Sequence, residues 1–374
     1  MDLRKELLDR VRAGESMTAL CREYGISRKT GNKFKARFAQ QGLAGLADGS
    51  HAPLSIPHKT PTSVVKAILV ERVRHPTWGP KKLKVVLEQQ LGRPVPSAST
   101  ISDILLREGL RVPKPKHRSR HRAQPTRLRR AGEPNDVWCI DYKGQFRLGD
   151  RTYCYPLTLT DQVSRYLLAC EAMSAISDSA AREVCVDVFR RHGLPAAIRS
   201  DNGAPFASTG LAGLTRLSAY WLRLGIRLER IRPAHPEENG RHERMHRTLK
   251  FDTAKPPRHN LLQQQQRFDA FVAEFNHERP HEALAMQCPA TLFRQSPRPL
   301  PVVLPDLTYP GYDDTLLVSP SGVIRLARTQ IYVTTALAGM TVGVDERRDG
   351  RWLVSFMHLN LGYIDLSKRK VLPS

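Results

Sequence analysis

The sequence predicts a multidomain protein: two small α-helical modules of helix-turn-helix pattern, an α/β core with a layered sheet, and a small C-terminal β barrel. Three observations carry this. Short capped helices broken by glycine turns fill residues 1–110, apolar strand runs alternate with amphipathic helices over 134–285, and short strands separated by turns follow residue 305. With 374 residues, each part can bury a core of its own.

The first 45 residues read as three helices. Leu3, Leu7, Leu8 and Val11 recur at helical spacing, and Ser16 can cap a second helix holding Leu20 and Cys21, which Gly25 ends. Ser27 opens a third helix with Arg28, Lys29 and Thr30, a basic and hydroxylic start suited to base edges and phosphates. This module is assigned to residues 1–50, and a linker, Gly45–Pro53, follows.

A second module spans 60–110. Val64, Ile68, Leu69 and Val73 form one stripe, Pro76–Pro80 breaks it, and Leu83, Val86 and Leu87 form the next. A capped helix opening at Ser97, with Ser99 in its first turn, is again placed as a recognition helix. Two such modules suit a long, specific site on duplex DNA.

Residues 111–133 carry a basic arm: nine Lys or Arg and no acid lie between Arg111 and Arg130, interrupted by prolines. Such a stretch buries no core and suits phosphate contact through Lys114, Lys116, Arg118, Arg120, Arg122, Arg127, Arg129 and Arg130. The whole chain agrees, with 59 Lys and Arg against 36 Asp and Glu and a net charge of +23, so a polyanion is the partner expected. No apolar run reaches 18 residues and the first residues are charged, so neither a membrane span nor a signal peptide is expected, and the location expected is the bacterial cytoplasm. Six scattered cysteines lack C-x-x-C spacing and read as small buried hydrophobes.

Over 134–295 the pattern changes to strands at Val137–Phe146, Tyr153–Thr160 and Tyr166–Cys170, a helix capped by Ser177, then a short strand, Ala196–Ser200, delivering Asp201 at its end. Asp141 stands within the apolar run Trp138–Tyr142, where an unpaired carboxylate is costly and calls for a cation. Glu243 follows Asp201 by 42 residues, on a basic helix after a Pro-broken loop. Carboxylates from two strands and a helix can converge on two Mg²⁺ ions for phosphoryl displacement. A competing reading comes from His242-Glu243-Arg244-Met245-His246, which fits the H-E-x-x-H pattern of a zinc protease. That reading needs a third ligand and leaves Asp141, Asp201 and the basic arm unexplained.

Taken together, tandem helix-turn-helix patterns, Trp138-x-x-Asp141, Thr160–Tyr166, Ser200-Asp-Asn-Gly203, His235-Pro-x-x-Asn-Gly240 with Glu243-Arg244 and Leu249-Lys250, and Phe275–Leu284 resemble insertion-sequence transposases of the retroviral-integrase-like DDE superfamily. The resemblance covers nearly the whole chain. It implies an RNase H-like catalytic core, a mixed sheet with flanking helices, and Asp141, Asp201 and Glu243 as catalytic residues and metal ligands for Mg²⁺ or Mn²⁺, two ions per site. It implies cleavage at terminal inverted repeats, attack of the freed 3′ hydroxyl on target DNA, and a homo-oligomer on that DNA. Asn239, Arg241, Arg244, Arg247 and Lys250 are then further DNA contacts, and His235, His242 and His246 phosphate contacts or helix-surface residues. The usual acid spacing is shorter and would select Glu237; the loop Ala207–Gly213 accounts for the difference, and the Asn239-Gly240 register keeps Glu243. The zinc module of retroviral integrases is absent from the pattern. The alternative function is a transposase-derived DNA-binding protein without catalysis.

After a Pro-rich linker, strands at 316–318, 322–326, 330–333, 341–344 and 351–356 alternate with turns such as Asp349-Gly350, giving a small barrel over 306–374.

Overall fold

The structure, a computed structural model, describes residues 2–48, 59–111, 128–233, 235–347 and 350–373. The chain forms two compact units, Met1–Pro61 and Thr62–Ser374.

In the first unit, α1 (Asp2–Arg12), α2 (Met17–Glu23) and α3 (Arg28–Gln41) enclose Leu7, Leu8 and Leu46, with Val11, Met17, Phe34 and Phe38 packed against them. Leu3 stays outside. Ser27 caps α3 by accepting from Thr30 N at 3.1 Å, whereas Ser16 stands at the start of α2 without a side-chain cap bond. A side chain at Gly31 would bring its Cβ to 2.5 Å from Cys21 Sγ, so α2 and α3 cross where only glycine fits.

The second unit begins with α4 (Thr62–Arg74), α5 (Pro80–Leu91) and α6 (Ala98–Arg107), closed around Ile68, Trp78, Leu83, Leu87 and Ile101. The stripe of α4 is narrower than its sequence suggests, since Val73 is exposed. Ser97 caps α6 through Thr100 N. This helical module docks on the α/β core of the same unit through His75 Nδ1 to Glu274 Oε1 at 3.2 Å and through the ion pair of Lys81 with Glu282.

The central sheet contains β1 (Val137–Tyr142), β2 (Phe146–Arg147), β3 (Tyr153–Asp161), β4 (Leu167–Met173), β5 (Ala197–Ser200) and β6 (Arg227–Arg230). β1 lies at its middle, antiparallel to β3 and parallel to β5; β4 extends the sheet beyond β3 and β6 beyond β5. The single strand read over 137–146 is broken at Gly144, whose φ is +33°, and only β2 resumes against β3. On one face, α7 (Asp178–His192) and α8 (Arg216–Arg223) cover Trp138, Ile140, Leu157 and Leu159. On the other, α9 (Gly240–Thr253) and α10 (Leu261–Ala273) bring Met245, Leu249, Phe268 and Phe271 onto Cys154, Leu167 and Cys170. A short α11 (Pro289–Leu292) follows. This is the RNase H-like mixed sheet with flanking helices.

The C-terminal part is a nearly closed barrel of seven strands: β7 (Asp314–Leu317), β8 (Val323–Leu326), β9 (Thr329–Tyr332), β10 (Thr341–Glu346), β11 (Trp352–Phe356), β12 (Leu359–Asp365) and β13 (Lys370–Leu372), in the order β7-β10-β11-β12-β13-β9-β8. β12 and β13 go beyond the five strands read from sequence. The β12 stretch alternates only weakly, and Gly362 in it meets Leu372 O so closely that a Cβ has no room. The barrel core is continuous with Leu214, Ala219 and Leu222 on and before α8. Five cysteines are buried and Cys288 is half-buried, all as free thiols.

Asn276, 1% exposed, acts as a strand substitute: it accepts from Leu167 N at 2.8 Å and donates to Leu167 O at 2.9 Å. Asn276→Ala leaves two buried backbone groups of β4 unpaired and should cost about 2–4 kcal/mol. A lower urea midpoint with unchanged slope checks this; an unchanged midpoint refutes it.

Candidate active site

Strand alternation sorts β1 and β3. Trp138 and Ile140 point into the apolar layer under α7 and α8, so Cys139 and Asp141 face α9; opposite them in register, Thr160 pairs with Cys139 and Thr158 with Asp141. α9 therefore lands on a strip of hydroxyls and one carboxylate. His242 and His246, one turn apart, are 1% and 3% exposed. Thr158 Oγ1 donates to Asp141 O at 3.1 Å and lies 2.8 Å from His242 Nε2 and 2.7 Å from His246 Nε2; Thr160 Oγ1 lies 2.7 Å from His242 Nδ1. Since the one Thr158 proton is committed to a carbonyl, both Nε2 atoms must carry hydrogen, and His242 Nδ1 accepts from Thr160. Both rings are neutral: burial pushes His242 down to about 3 and lowers His246 further, with His242 and Lys143 adding to the effect.

This corrects the surface reading of His242 and His246. It also weighs against H-E-x-x-H. Among the described residues the one group of potential ligand atoms lying close together is Asp141, His242 and His246, but both nitrogens of His242 are engaged by threonines and Glu243 is not in the group. His246 Nδ1 stands 3.7 Å from Asp141 Oδ2, which with a neutral ring is neither an ion pair nor a hydrogen bond.

Burial pushes the Asp141 carboxyl up to about 7; the charge of Asp201 and then of Glu243 raises it too, while a bond from the Tyr142 backbone and Lys143 pull the other way. Asp201 follows β5 directly and accepts from Gly203 N at 3.2 Å. Glu243 is exposed in the first turn of α9. Asp201 and Glu243 are thus each within electrostatic reach of Asp141, but among the described residues the three carboxylates do not form a tight cluster. Glu238, by contrast, is fully engaged: its carboxylate accepts from Arg232 N and Nε, both at 2.8 Å, and is 2% exposed.

Of the expected DNA contacts, Ser27, Arg28, Lys29 and Ser99 are exposed and Thr30 is half-buried on their helices. Arg241, Arg244, Arg247 and Lys250 are exposed along α9. Asn239 departs from the expectation: it is 5% exposed at the start of α9, and its Oδ1 has no hydrogen-bond partner among the described residues. Arg129 and Arg130 are exposed, and Arg129 O accepts from buried Arg199, which is itself paired with Glu229. Lys114, Lys116, Arg118, Arg120, Arg122 and Arg127 lie outside the described residues.

Residues 131–236 and 224–289 match integrase core domain models, 3–53 a helix-turn-helix domain and 30–105 a homeodomain-like domain. The chain is 28% identical over 177 residues to the Gag-Pol polyprotein of baboon endogenous virus (strain M7), covering 47% of this chain and 10% of that one. It is 31% identical over 126 residues to the Pol polyprotein of feline endogenous virus ECE1, covering 34% and 11%. The chain therefore spans about a tenth of these relatives. Among solved structures it is similar to a simian T-cell lymphotropic virus intasome in complex with the PP2A regulatory subunit B56 gamma, at 17% identity and TM-score 0.39, covering 80% of this chain and 99% of that one. It is also similar to the HTLV-2 integrase catalytic core in complex with magnesium, at 13% and 0.33, covering 44% and 100%. Integrase core domains thus follow helix-turn-helix and homeodomain-like domains along the chain, an order consistent with an integrase-like transposase. Residues 131–289 of this chain are its integrase core.

Because the folded Asp141 has its pKa raised above the ordinary carboxylate value, its contribution to stability is complete at acid pH and is lost as pH rises through about 7. In the absence of divalent cations, Asp141→Asn should be more stable than the parent at pH 8, by on the order of 2–4 kcal/mol, with the gap closing toward pH 4. Chemical denaturation at the two pH values measures it; a gap that does not depend on pH refutes it.

Proposed function

We propose that this chain is a DDE-type polynucleotidyl transferase acting as a DNA transposase: it binds the terminal inverted repeats of its element, cleaves there, and joins the 3′ hydroxyl ends to target DNA. The observation that carries this is the half-buried Asp141 carboxyl on the central strand, lifted by burial and by the charges of Asp201 and Glu243. A carboxyl whose ionisation is opposed by neighbouring carboxylates is stabilised by a shared hard cation, and an all-oxygen donor set suits Mg²⁺ or Mn²⁺. Asp141, Asp201 and Glu243 would hold the metal, two ions by the family's pattern. When bound, the ions supply Lewis-acid stabilisation of the attacking and leaving oxygens.

The chain's own residues do the rest. Thr158 and Thr160, gripping His242 and His246, fix the height of α9 and so the place of Glu243. Asp141 is poised to lose its proton near neutral pH. Arg247 and Lys250, exposed on α9, offer phosphate contacts, and the exposed starts of α3 and α6 offer base and phosphate contacts. Integrase neighbours are described in dimeric, trimeric and intasome forms, which supports an oligomer on DNA here. Among the described residues no helix is long and apolar enough to cross a membrane.

Glu243→Gln keeps shape but removes a ligand charge, so strand transfer with Mg²⁺ should fall by orders of magnitude while DNA binding survives. Glu238→Gln should lose stability more than chemistry, because the carboxamide can accept only one of Arg232's two bonds and no longer pairs its charge. Glu237→Gln serves as the control for the shorter spacing. A strand-transfer assay on the three decides: near-normal transfer by Glu243→Gln sinks the assignment.

Residues 1–130 are proposed to carry end recognition. Removing them should leave weak, sequence-indifferent binding with a shallower salt dependence, since fewer phosphates are neutralised. Undiminished specificity in a salt titration of that fragment would overturn it.

A further inference from the structure

Two motifs of the sequence, Thr160–Tyr166 and Phe275–Leu284, are not used by the carboxylates. The fold brings both, with the first turn of α5 and one stripe of α9, around a single cleft of about 280 Å³, roughly nine times the volume a water takes in the liquid. Its walls include Lys82, Arg165, Arg241, Arg244, Arg279 and His281. The two carboxylates there are taken: Asp161 accepts from Asn135 N, Val163 N, Ser164 N and Ser164 Oγ, and Glu282 is paired with Lys81.

Arg241 and Arg244 reach the cleft from the exposed side of α9, Arg241 Nη1 donating to Gln162 O at 3.1 Å, whereas the guanidinium groups of Arg165 and Arg279 are held inward with donors to spare. Arg165 Nε, Arg279 Nη1 and His281 Nε2 are buried and lack hydrogen-bond partners among the described residues. Arg279 is 7% exposed, and Asp252, the carboxylate paired with it, stands 3.5 Å from Nη1. Arg165 takes a left-handed backbone, φ +66°, in a turn that Asp161 pins, so its aim is built in. Burial lowers Lys82 to about 7, Arg165 to about 10 and His281 to about 3, with the neighbouring positive charges adding in each case. The buried donors of Arg165 and Arg279, with Lys82 from α5 and the exposed arginines of α9 at the rim, converge from several sides on one void and are the complement of an anion with acceptors on several sides. A planar carboxylate would satisfy only one side. At 100° per residue, Arg241, Arg244, Met245 and Thr248 share the α9 stripe that lines this cleft, while Glu243 and Lys250 lie on the opposite flank.

We propose that this cleft is a phosphate-binding site, separate from the carboxylate site, that seats one phosphate group between the second helical module and the integrase core. The group can come from a DNA backbone or from free phosphate; the DNA source rests on the function proposed above, whereas the free-anion measurement does not.

The test is thermal denaturation of the full chain, without divalent metal, in inorganic phosphate against chloride of equal ionic strength. Phosphate should raise the parent's Tm by several degrees, and Arg165→Gln and Lys82→Met should lose most of that gain. In phosphate-free buffer both variants should be at least as stable as the parent, because each relieves a crowded positive charge. A structural role alone would instead lower their Tm while leaving the phosphate response intact. No response in the parent, or an equal response in the variants, overturns the site. A second arm measures duplex DNA binding with and without phosphate: competition seen in the parent and lost in Arg165→Gln assigns the DNA backbone as source, and affinity indifferent to both assigns free phosphate. Because neither arm reads strand transfer, failure here is distinguishable from failure of the transposase reading.

Discussion

The seating of α9 on β1 and β3 is the contact on which the proposed chemistry depends. It is polar at its centre: two threonine hydroxyls and two neutral imidazoles exchange hydrogen bonds in a place closed to water. Such a network is directional in a way that an apolar seam is not, so it sets the rotation of the helix as well as its distance from the sheet. With His242 and His246 turned down onto the sheet, helical geometry obliges Glu243 to one flank and Arg241, Arg244 and Thr248 to the other. One helix thereby holds Glu243 apart from the arginines of the cleft.

The motifs on which the family resemblance rests divide, in this light, into chemistry and scaffold. Asp161 is an acid in a signature stretch, yet its carboxylate is consumed by three backbone amides and a hydroxyl and fixes the turn into β4. Asn276 stitches the start of β4 with the geometry of a strand neighbour. Glu238 is consumed by Arg232. What distinguishes Asp141 from these acids is that a single backbone bond, from Tyr142, does not offset its burial, and Glu243 differs from them in being exposed, differences of environment that residue type cannot express.

Much of the architecture was legible in the sequence because it rests on local signals. Ser27, Ser97 and Ser177 cap helices as their positions imply, and apolar runs with turn residues between them place β3 and β4 to within a few residues. What escaped depends on partners distant in the chain. His242 and His246 sit in a helix so rich in Arg and Lys that it reads as solvated, and only Thr158 and Thr160, more than 80 residues earlier, reveal the face that is buried. β12 and β13 were missed because β13 is three residues long and Gly362 interrupts β12, so that pairing, not pattern, makes them strands. The basic cleft was illegible for the same reason: Lys82, Arg165 and Arg279 are far apart in sequence, and each is unremarked in a chain of net charge +23.

The excess charge therefore serves two different ends. Exposed Arg and Lys on α3 and α9 act at long range and are screened by salt, which suits capture of a polyanion. Arg165, Lys82 and Arg279 are different, because burial has removed most of their water and weakened their hold on their own protons. A cation in that state costs stability until an anion arrives and offsets the loss locally, the mirror image of Asp141, which costs stability when ionised until a cation does the same. The integrase core thus carries, on opposite flanks of α9, two sites whose unfilled charges oppose folding and whose ligands have opposite sign. A phosphodiester with bound divalent metal is a ligand that carries both.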